Sequence, residues 1–323
     1  MQTDSWDDYV CFGGIMKKVA SARRYLDTAV AQNISRSLEK LSHFANKTAL
    51  MNVSEKEMCC VIENAVERYS GVINRDAVNA DTDIKHKFDD DMMLSLENQL
   101  ISLGFLSATN KQVLLIEEFG YRTEPLAKEY YIVQPAVRYH YMVKALYLAD
   151  EKESCQQLSE NGKQDFKDTI ATQIKEDMTK QIIVYETSKA LSSQRYFVSK
   201  LCFRNDAVPN KDLGGLDMLV YDKQQNCCWG FEIAYSVQAS SLQYKDLVDQ
   251  RLVNAVKYMY GNIQRLCVLY NGEPFVNSKG IVYLNIPDFL KEIKDNKDVE
   301  SVLLNLNNKL HQKIIDDISA QNS

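Results

Sequence analysis

Residues 214–236 read GGLDMLVYDKQQNCCWGFEIAYS, and this stretch decides the fold of the second half of the chain. Two runs of strand-forming residues flank a short polar turn around residues 223–226, which predicts an antiparallel hairpin. Asp217 begins the first strand and Glu232 lies on the second. Antiparallel pairing would therefore bring the two carboxylates, called here the acidic pair, to the same end of the sheet.

Two carboxylates in that position predict one kind of chemistry. They are hard oxygen ligands, which Mg²⁺ and Mn²⁺ prefer in proteins. A metal ion held by Asp217 and Glu232 could polarise a phosphodiester and activate a water molecule. The plainer interpretation is that Asp and Glu at strand ends are simply solvated, and the spacing alone leaves both interpretations open.

Outward from the hairpin, helices and strands are mixed through the second half. Ile174, Met178 and Ile182 lie on one face of a helix predicted over residues 166–191. Further strands are predicted over residues 196–203, 266–270 and 280–284, with helices over 242–260 and 288–318. This order predicts a mixed α/β sandwich and places the chain in the α+β fold class.

The first half is predicted to be mainly helical. Ser54 and Glu57 have the spacing of a capping box, and a helix is predicted over residues 90–104. Strands over 112–119 and 129–133 follow, separated by a polar turn, before Pro135 opens another helix. Two helices followed by a two-stranded wing are the order of a winged helix-turn-helix.

The polar stretch around residues 151–165 predicts a linker. It divides the chain into a helical region with the winged helix over residues 1–150 and a mixed α/β domain over residues 166–323. The chain has 38 Lys and Arg against 44 Asp and Glu, a net charge of −6. From Asp89 to Asn110 there are four acidic residues and no basic ones. Because DNA phosphates repel such a surface, the helix over 90–104 is expected to pack or to contact protein instead.

The composition predicts a cytoplasmic protein. The first ten residues, MQTDSWDDYV, lack a secretory pattern, and no run of about 18 apolar residues suggests a membrane span. The eight cysteines form neither a disulfide framework nor a metal knuckle, and the four histidines lack metal-binding spacing.

Several segments in order carry a family resemblance. They are WDDYVCFGG (6–14), SLENQLISLGFL (95–106), EYYIVQPAVRYHYMVKAL (129–146), QIIVYETSKAL (181–191), and the two strands LDMLVYD and FEIAYS. Residues 1–290 resemble the C-terminal region of a bacterial and archaeal family of AAA-type ATP-binding proteins. The resemblance implies a winged-helix segment followed by a restriction-endonuclease-like domain of the PD-(D/E)xK type, with Asp217 and Glu232 on its metal-binding strands.

The chain departs from that family at two charged positions. The family's lysine two residues after the Glu is Ala234 here, and the Glu of its first helix, seven residues before the position of Thr187, is Lys180. Glu176, one turn earlier, and Lys245, on the following helix, could replace them as catalytic residues. Because loss of one preorganised charge stabiliser costs on the order of 10²–10³ in rate, the departures predict a degenerate nuclease site.

The chain also lacks the P-loop sequence GxxxxGK(S/T), so no triphosphate is expected to bind in that manner. In terms of the resemblance, the ATPase core was lost, lies on another polypeptide or was trimmed away upstream. The sequence favours a non-catalytic interaction or regulatory module with a protein partner, such as an ATPase core in trans. The alternatives are a divergent Mg²⁺- or Mn²⁺-dependent DNA nuclease that uses Lys245, and a winged-helix DNA-binding regulator.

Overall fold

The computed structural model describes residues 87–102, 106–118, 120–133, 160–192, 194–205, 212–235 and 245–321, together with Trp6, Val10, Ser54, Glu57, Asn79, Ala80 and Lys85. The helix predicted from Pro135 lies outside these residues. The chain divides into two compact units, each made of two segments. The first is Met1–Ala108 with Glu129–Met178, and the second is Thr109–Lys128 with Thr179–Ser323.

The described part of the chain contains six helices and nine strands. The helices are α1 (Asp90–Ser102), α2 (Glu160–Ala190), α3 (Lys245–Val248), α4 (Gln250–Tyr260), α5 (Ile286–Asn296) and α6 (Val299–Gln321). The strands are β1 (Leu106–Glu117), β2 (Gly120–Thr123), β3 (Ala127–Ile132), β4 (Tyr196–Asn205), β5 (Asp212–Asp222), β6 (Cys227–Ala234), β7 (Asn262–Tyr270), β8 (Phe275–Val276) and β9 (Val282–Asn285).

The strands form one mixed sheet in the order β2-β1-β4-β5-β6-β7-β9-β8, and β3 also pairs with β1. The β1/β4, β6/β7 and β7/β9 pairs are parallel, whereas β1/β2, β4/β5, β5/β6 and β8/β9 are antiparallel. A large mixed sheet accompanied by helices confirms the expected mixture of α and β structure. None of the described helices is long and apolar enough to cross a membrane.

The predicted hairpin is confirmed as β5 and β6. The strands pair from Met218↔Phe231 to Asp222↔Cys227, and the turn occupies residues 223–226. The Asp222 carboxylate closes the turn by accepting the N–H groups of two turn residues. Every residue of β6 is buried because the strand has neighbours on both edges, β5 and the parallel β7.

The core of the second unit forms where α4 packs against the sheet. Leu252, Ala255 and Val256 follow the helical period and are buried together with side chains of β4, β5 and β7. Burial of each large apolar side chain contributes roughly 1.5–3 kcal/mol. Asp249 caps the N-terminus of α4 by accepting the Arg251 N–H. This cap also divides the helix predicted over residues 242–260 into the observed α3 and α4.

The first half agrees with the sequence in its local features. Ser54 and Glu57 form the expected capping box, with the Ser54 N–H donating to the Glu57 carboxylate at 2.9 Å and the Glu57 N–H donating back to Ser54 Oγ at 3.3 Å. Helix α1 begins after Asp89, whose side chain accepts the Met92 N–H. Its buried residues are Met93, Leu96 and Leu100, which follow the helical period.

The strands predicted over residues 112–119 and 129–133 correspond to β1 and β3, which pair with each other, and β1 also joins the large sheet. Strand β1 pairs in parallel with β4, from Asn110↔Ser199 to Ile116↔Asn205, so it belongs to the large sheet. Residues 109–128 accordingly lie in the second compact unit. Helix α2 begins at Glu160, inside the stretch predicted as a linker.

Candidate functional site

The structure brings the acidic pair together at the end of the β5–β6 ladder. The regular pairing stops at Met218↔Phe231, one residue before Asp217 and Glu232 would face each other. At that point Asp217 Oδ2 accepts the Ile233 N–H at 2.9 Å, so a side chain takes over from the backbone ladder. The two carboxyl groups are close enough to be hydrogen-bonded and to interact through their charges.

A lysine ammonium neutralises the outer face of the acidic pair. Lys180 Nζ, on α2, lies 3.1 Å from Asp217 Oδ1. The Asp217 side chain is only 11% exposed and that of Lys180 is 28% exposed, so this ion pair is partly shielded from water. Both oxygens of Asp217 are therefore occupied, one by the ammonium and the other by the Ile233 amide. Lys180 is the residue that stands where the resemblance places a Glu.

Glu232 is the buried member of the pair. It is 6% exposed, and its Oε1 has no hydrogen-bond partner. Burial is the largest cause that raises the pKa of Glu232 well above 4.5, and the charge and hydrogen bond of Asp217 raise it further. Lys180 acts in the opposite direction and Asp246 adds to the increase. The site therefore favours a protonated Glu232 that donates to Asp217.

A third carboxylate, Asp246, comes from the short helix α3. Its Oδ2 accepts the Gly215 N–H at 3.0 Å. Gly214 has φ +117°, and a Cβ on it would lie 2.5 Å from Asp246 Oδ2, so only glycine admits this approach. Sequence reasoning missed Asp246. The signal that could have found it is the Gly214–Gly215 pair within a strand, which is typical of close backbone contact.

The other predicted catalytic residues have different positions. Ala234, the position at which the resemblance implies a lysine, is buried in the core of the second unit and pairs with Tyr270. Lys245 is the first residue of α3, and its side chain lies outside the described residues. Glu176 lies on α2 one turn before Lys180, in the part of the helix that belongs to the first compact unit.

The oxygen ligands of the acidic pair do not suit Mg²⁺ or Mn²⁺ as they stand. Within the described ranges, no group of three or more His, Cys, Asp or Glu side chains is arranged to hold a metal ion. Of the carboxylate oxygens in the acidic pair, Glu232 Oε1 lacks a partner, while both Asp217 oxygens are bonded. Since a divalent cation takes about six oxygen ligands, the residues do not fit one while Lys180 is paired.

Comparison of the chain with family models, with curated proteins and with solved structures found no match. The family resemblance therefore stays a prediction from the quoted segments. The observations that bear on function are the interactions among Lys180, Asp217 and Glu232.

Proposed function

We propose that this chain is a non-catalytic interaction module whose nuclease-like site is degenerate. The observation that carries the proposal is the ion pair between Lys180 and Asp217. In the family that the chain resembles, an acidic residue on the helix and a lysine on the strand serve a metal-dependent reaction. Here the helix carries the cation and the strand carries Ala234.

This exchange of charge works against phosphodiester hydrolysis. A divalent ion at Asp217 would meet the ammonium of Lys180, and two unit charges at 4 Å interact with about 4 kcal/mol at an effective dielectric constant of 20. The repulsion doubles for a charge of +2. The methyl group of Ala234 cannot steady negative charge that develops on a phosphate oxygen. Both changes lower activity for independent physical reasons.

The interaction half of the proposal follows the resemblance. The helical first half and the nuclease-like domain would bind a protein partner in the cytoplasm, with an ATPase core in trans as the first candidate. The acidic residues at the start of α1, Asp90 and Asp91, disfavour phosphate contact by this helix. A protein surface is therefore the better-supported partner than DNA.

The catalytic half is tested by incubating the full chain with plasmid and single-stranded DNA in millimolar Mg²⁺ or Mn²⁺. We expect no cleavage by the wild-type chain. Asp217→Asn removes the charge that any metal mechanism needs, and Glu118→Gln, at an exposed glutamate of the β1–β2 turn, is the matched control. Cleavage by wild type and Glu118→Gln that is absent in Asp217→Asn would refute the proposal.

The divergent nuclease is the second candidate because one observation favours it. Glu232 Oε1 is a buried carboxylate oxygen without a hydrogen-bond partner, which is an available metal ligand. In that case Lys245 would supply the missing cation. Nicking that depends on Asp217 and is abolished by Lys245→Ala would support this alternative.

A further inference from the structure

We infer that Lys180 is a built-in counter-ion that closes a latent divalent-cation site on Asp217 and Glu232. The inference rests on the proposed function, since it explains why the degenerate site holds together without catalysis. Lys180 then has a role of its own and is more than a substitution of the Glu that the resemblance implies. The lysine supplies the positive charge that a metal ion would otherwise supply.

The ammonium group of Lys180 acts on the carboxyl groups of both Asp217 and Glu232. Lys180 Nζ contacts Asp217 Oδ1 at 3.1 Å, and its charge also acts on Glu232. Two carboxyl groups that share a hydrogen bond in a shielded place repel each other when both are ionised. A nearby cation reduces this repulsion, so the lysine stabilises the pair as a unit.

An oxygen of Glu232 without a hydrogen-bond partner also indicates a latent cation site. Glu232 Oε1 is buried without a hydrogen bond, although Asp217 and Lys180 both interact with the same carboxyl group. Buried polar atoms in proteins are nearly always bonded to protein or water, so this oxygen has unused capacity to bind a cation. If the charge of Lys180 is removed, Asp217 Oδ1 also loses its partner. The acidic pair then offers two carboxyl oxygens, Asp217 Oδ1 and Glu232 Oε1, to a cation.

Substitution at Lys180 should therefore open the site. Lys180→Gln removes the ammonium and leaves the two carboxyl groups of the acidic pair, whereas Lys180→Glu also adds a new carboxyl group at the same helix position. Carboxylates in these numbers, completed by water, suit Mn²⁺. Affinity should follow the number of ligands, with Lys180→Glu above Lys180→Gln and both above wild type.

The test is calorimetric titration of MnCl₂ into the full chain, together with melting temperatures with and without Mn²⁺. We expect Lys180→Glu to bind Mn²⁺ at least about tenfold more tightly than wild type, and Lys180→Gln to be intermediate. Adding Glu232→Gln to Lys180→Glu should abolish the gain. Lys189→Glu is the matched control, because it places the same charge change at an exposed position of α2.

The outcomes separate this inference from the proposed function. If folded Lys180→Gln and Lys180→Glu bind Mn²⁺ no more tightly than wild type, the counter-ion role is refuted, while an inactive wild type still supports the non-catalytic module. If wild type itself binds Mn²⁺ as tightly as Lys180→Glu, the inference is also refuted. Should Lys180→Glu unfold without metal, refolding that requires Mn²⁺ supports the inference, and refolding that Mn²⁺ does not improve counts against it.

Discussion

Glu232→Gln should be more stable than the wild type, by a margin that grows as the pH rises. The reason is that the substitution removes a buried carboxyl group whose ionisation destabilises the folded state. Glutamine keeps the size and shape of glutamic acid, and its NH₂ group can donate to Asp217 as the protonated carboxyl does. The wild type and the variant should therefore have similar stability near pH 4. Above that pH they should diverge.

The size of the divergence follows from linkage. The pKa of Glu232 is raised in the folded state, first by burial and then by Asp217. The unfolded chain therefore releases this proton at lower pH than the folded chain does. Stability contributed by the protonated group is fully present below the unfolded pKa, near 4.5, and is lost as the pH rises towards the folded pKa. The wild type should lose up to about 1.4 kcal/mol relative to the variant for each pH unit over which only the unfolded chain is ionised at this position.

Urea unfolding at a series of pH values between 4 and 8 measures this difference. Trp229 is a convenient fluorescent probe because it is buried on β6, three residues before Glu232. Glu118→Gln removes the same kind of charge at an exposed position and is the control. A difference in unfolding free energy between wild type and Glu232→Gln that stays constant over this pH range would refute the reasoning.

Two further predictions concern the elements that hold the hairpin. Asp222→Asn should lower the unfolding free energy by about 1–3 kcal/mol at pH 7 in chemical denaturation, because Arg195 loses its partner at 2.6 Å and keeps the Asp298 carboxylate at 3.3 Å. Burial acts to raise the pKa of Asp222, but its hydrogen bonds with Arg195 and the turn amides lower it below the usual value. The stability that the Asp222 carboxylate contributes is therefore lost as the pH falls through the carboxyl range. Equal stability of the wild type and Asp222→Asn at pH 7 would contradict this role of Asp222. Gly214→Ala should lower the melting temperature more than Gly280→Ala does, since both glycines have positive φ but only Gly214 would place its Cβ against Asp246. Equal decreases in melting temperature would show that the positive φ, and not the contact with Asp246, causes the loss of stability.

Local structure was predictable because the signals lie within a few residues of each other. The β5–β6 hairpin follows from two strand-like runs around a polar turn, and the Ser54–Glu57 box follows from its spacing. The partners of β1 could not be predicted in this way. Asn110 pairs with Ser199, and no local pattern selects a partner so distant in the chain. For that reason these strands were predicted to belong to the helical region over residues 1–150.

The site was predictable only in part for the same reason. The hairpin makes Asp217 and Glu232 neighbours, so their proximity follows from the local fold. Lys180 and Asp246 come from two helices, and their approach to the acidic pair depends on how those helices pack on the sheet. The sequence identified Lys180 as a departure from a family pattern, but the direction of its side chain required the structure.

The two departures from the family pattern gain meaning when the charges of the site are considered together. In the pattern that the chain resembles, a Glu on the helix, the acidic pair and one lysine leave two negative charges for a metal ion to balance. Here Lys180 is positive, Asp217 is negative and burial favours a neutral Glu232. The charges of these three residues cancel, so Lys180 and the acidic pair need no metal ion for their own charge balance. Because Ala234 is buried, a lysine placed there alone would be a second cation without a partner, so Ala234→Lys should destabilise the fold unless Lys180 is also changed.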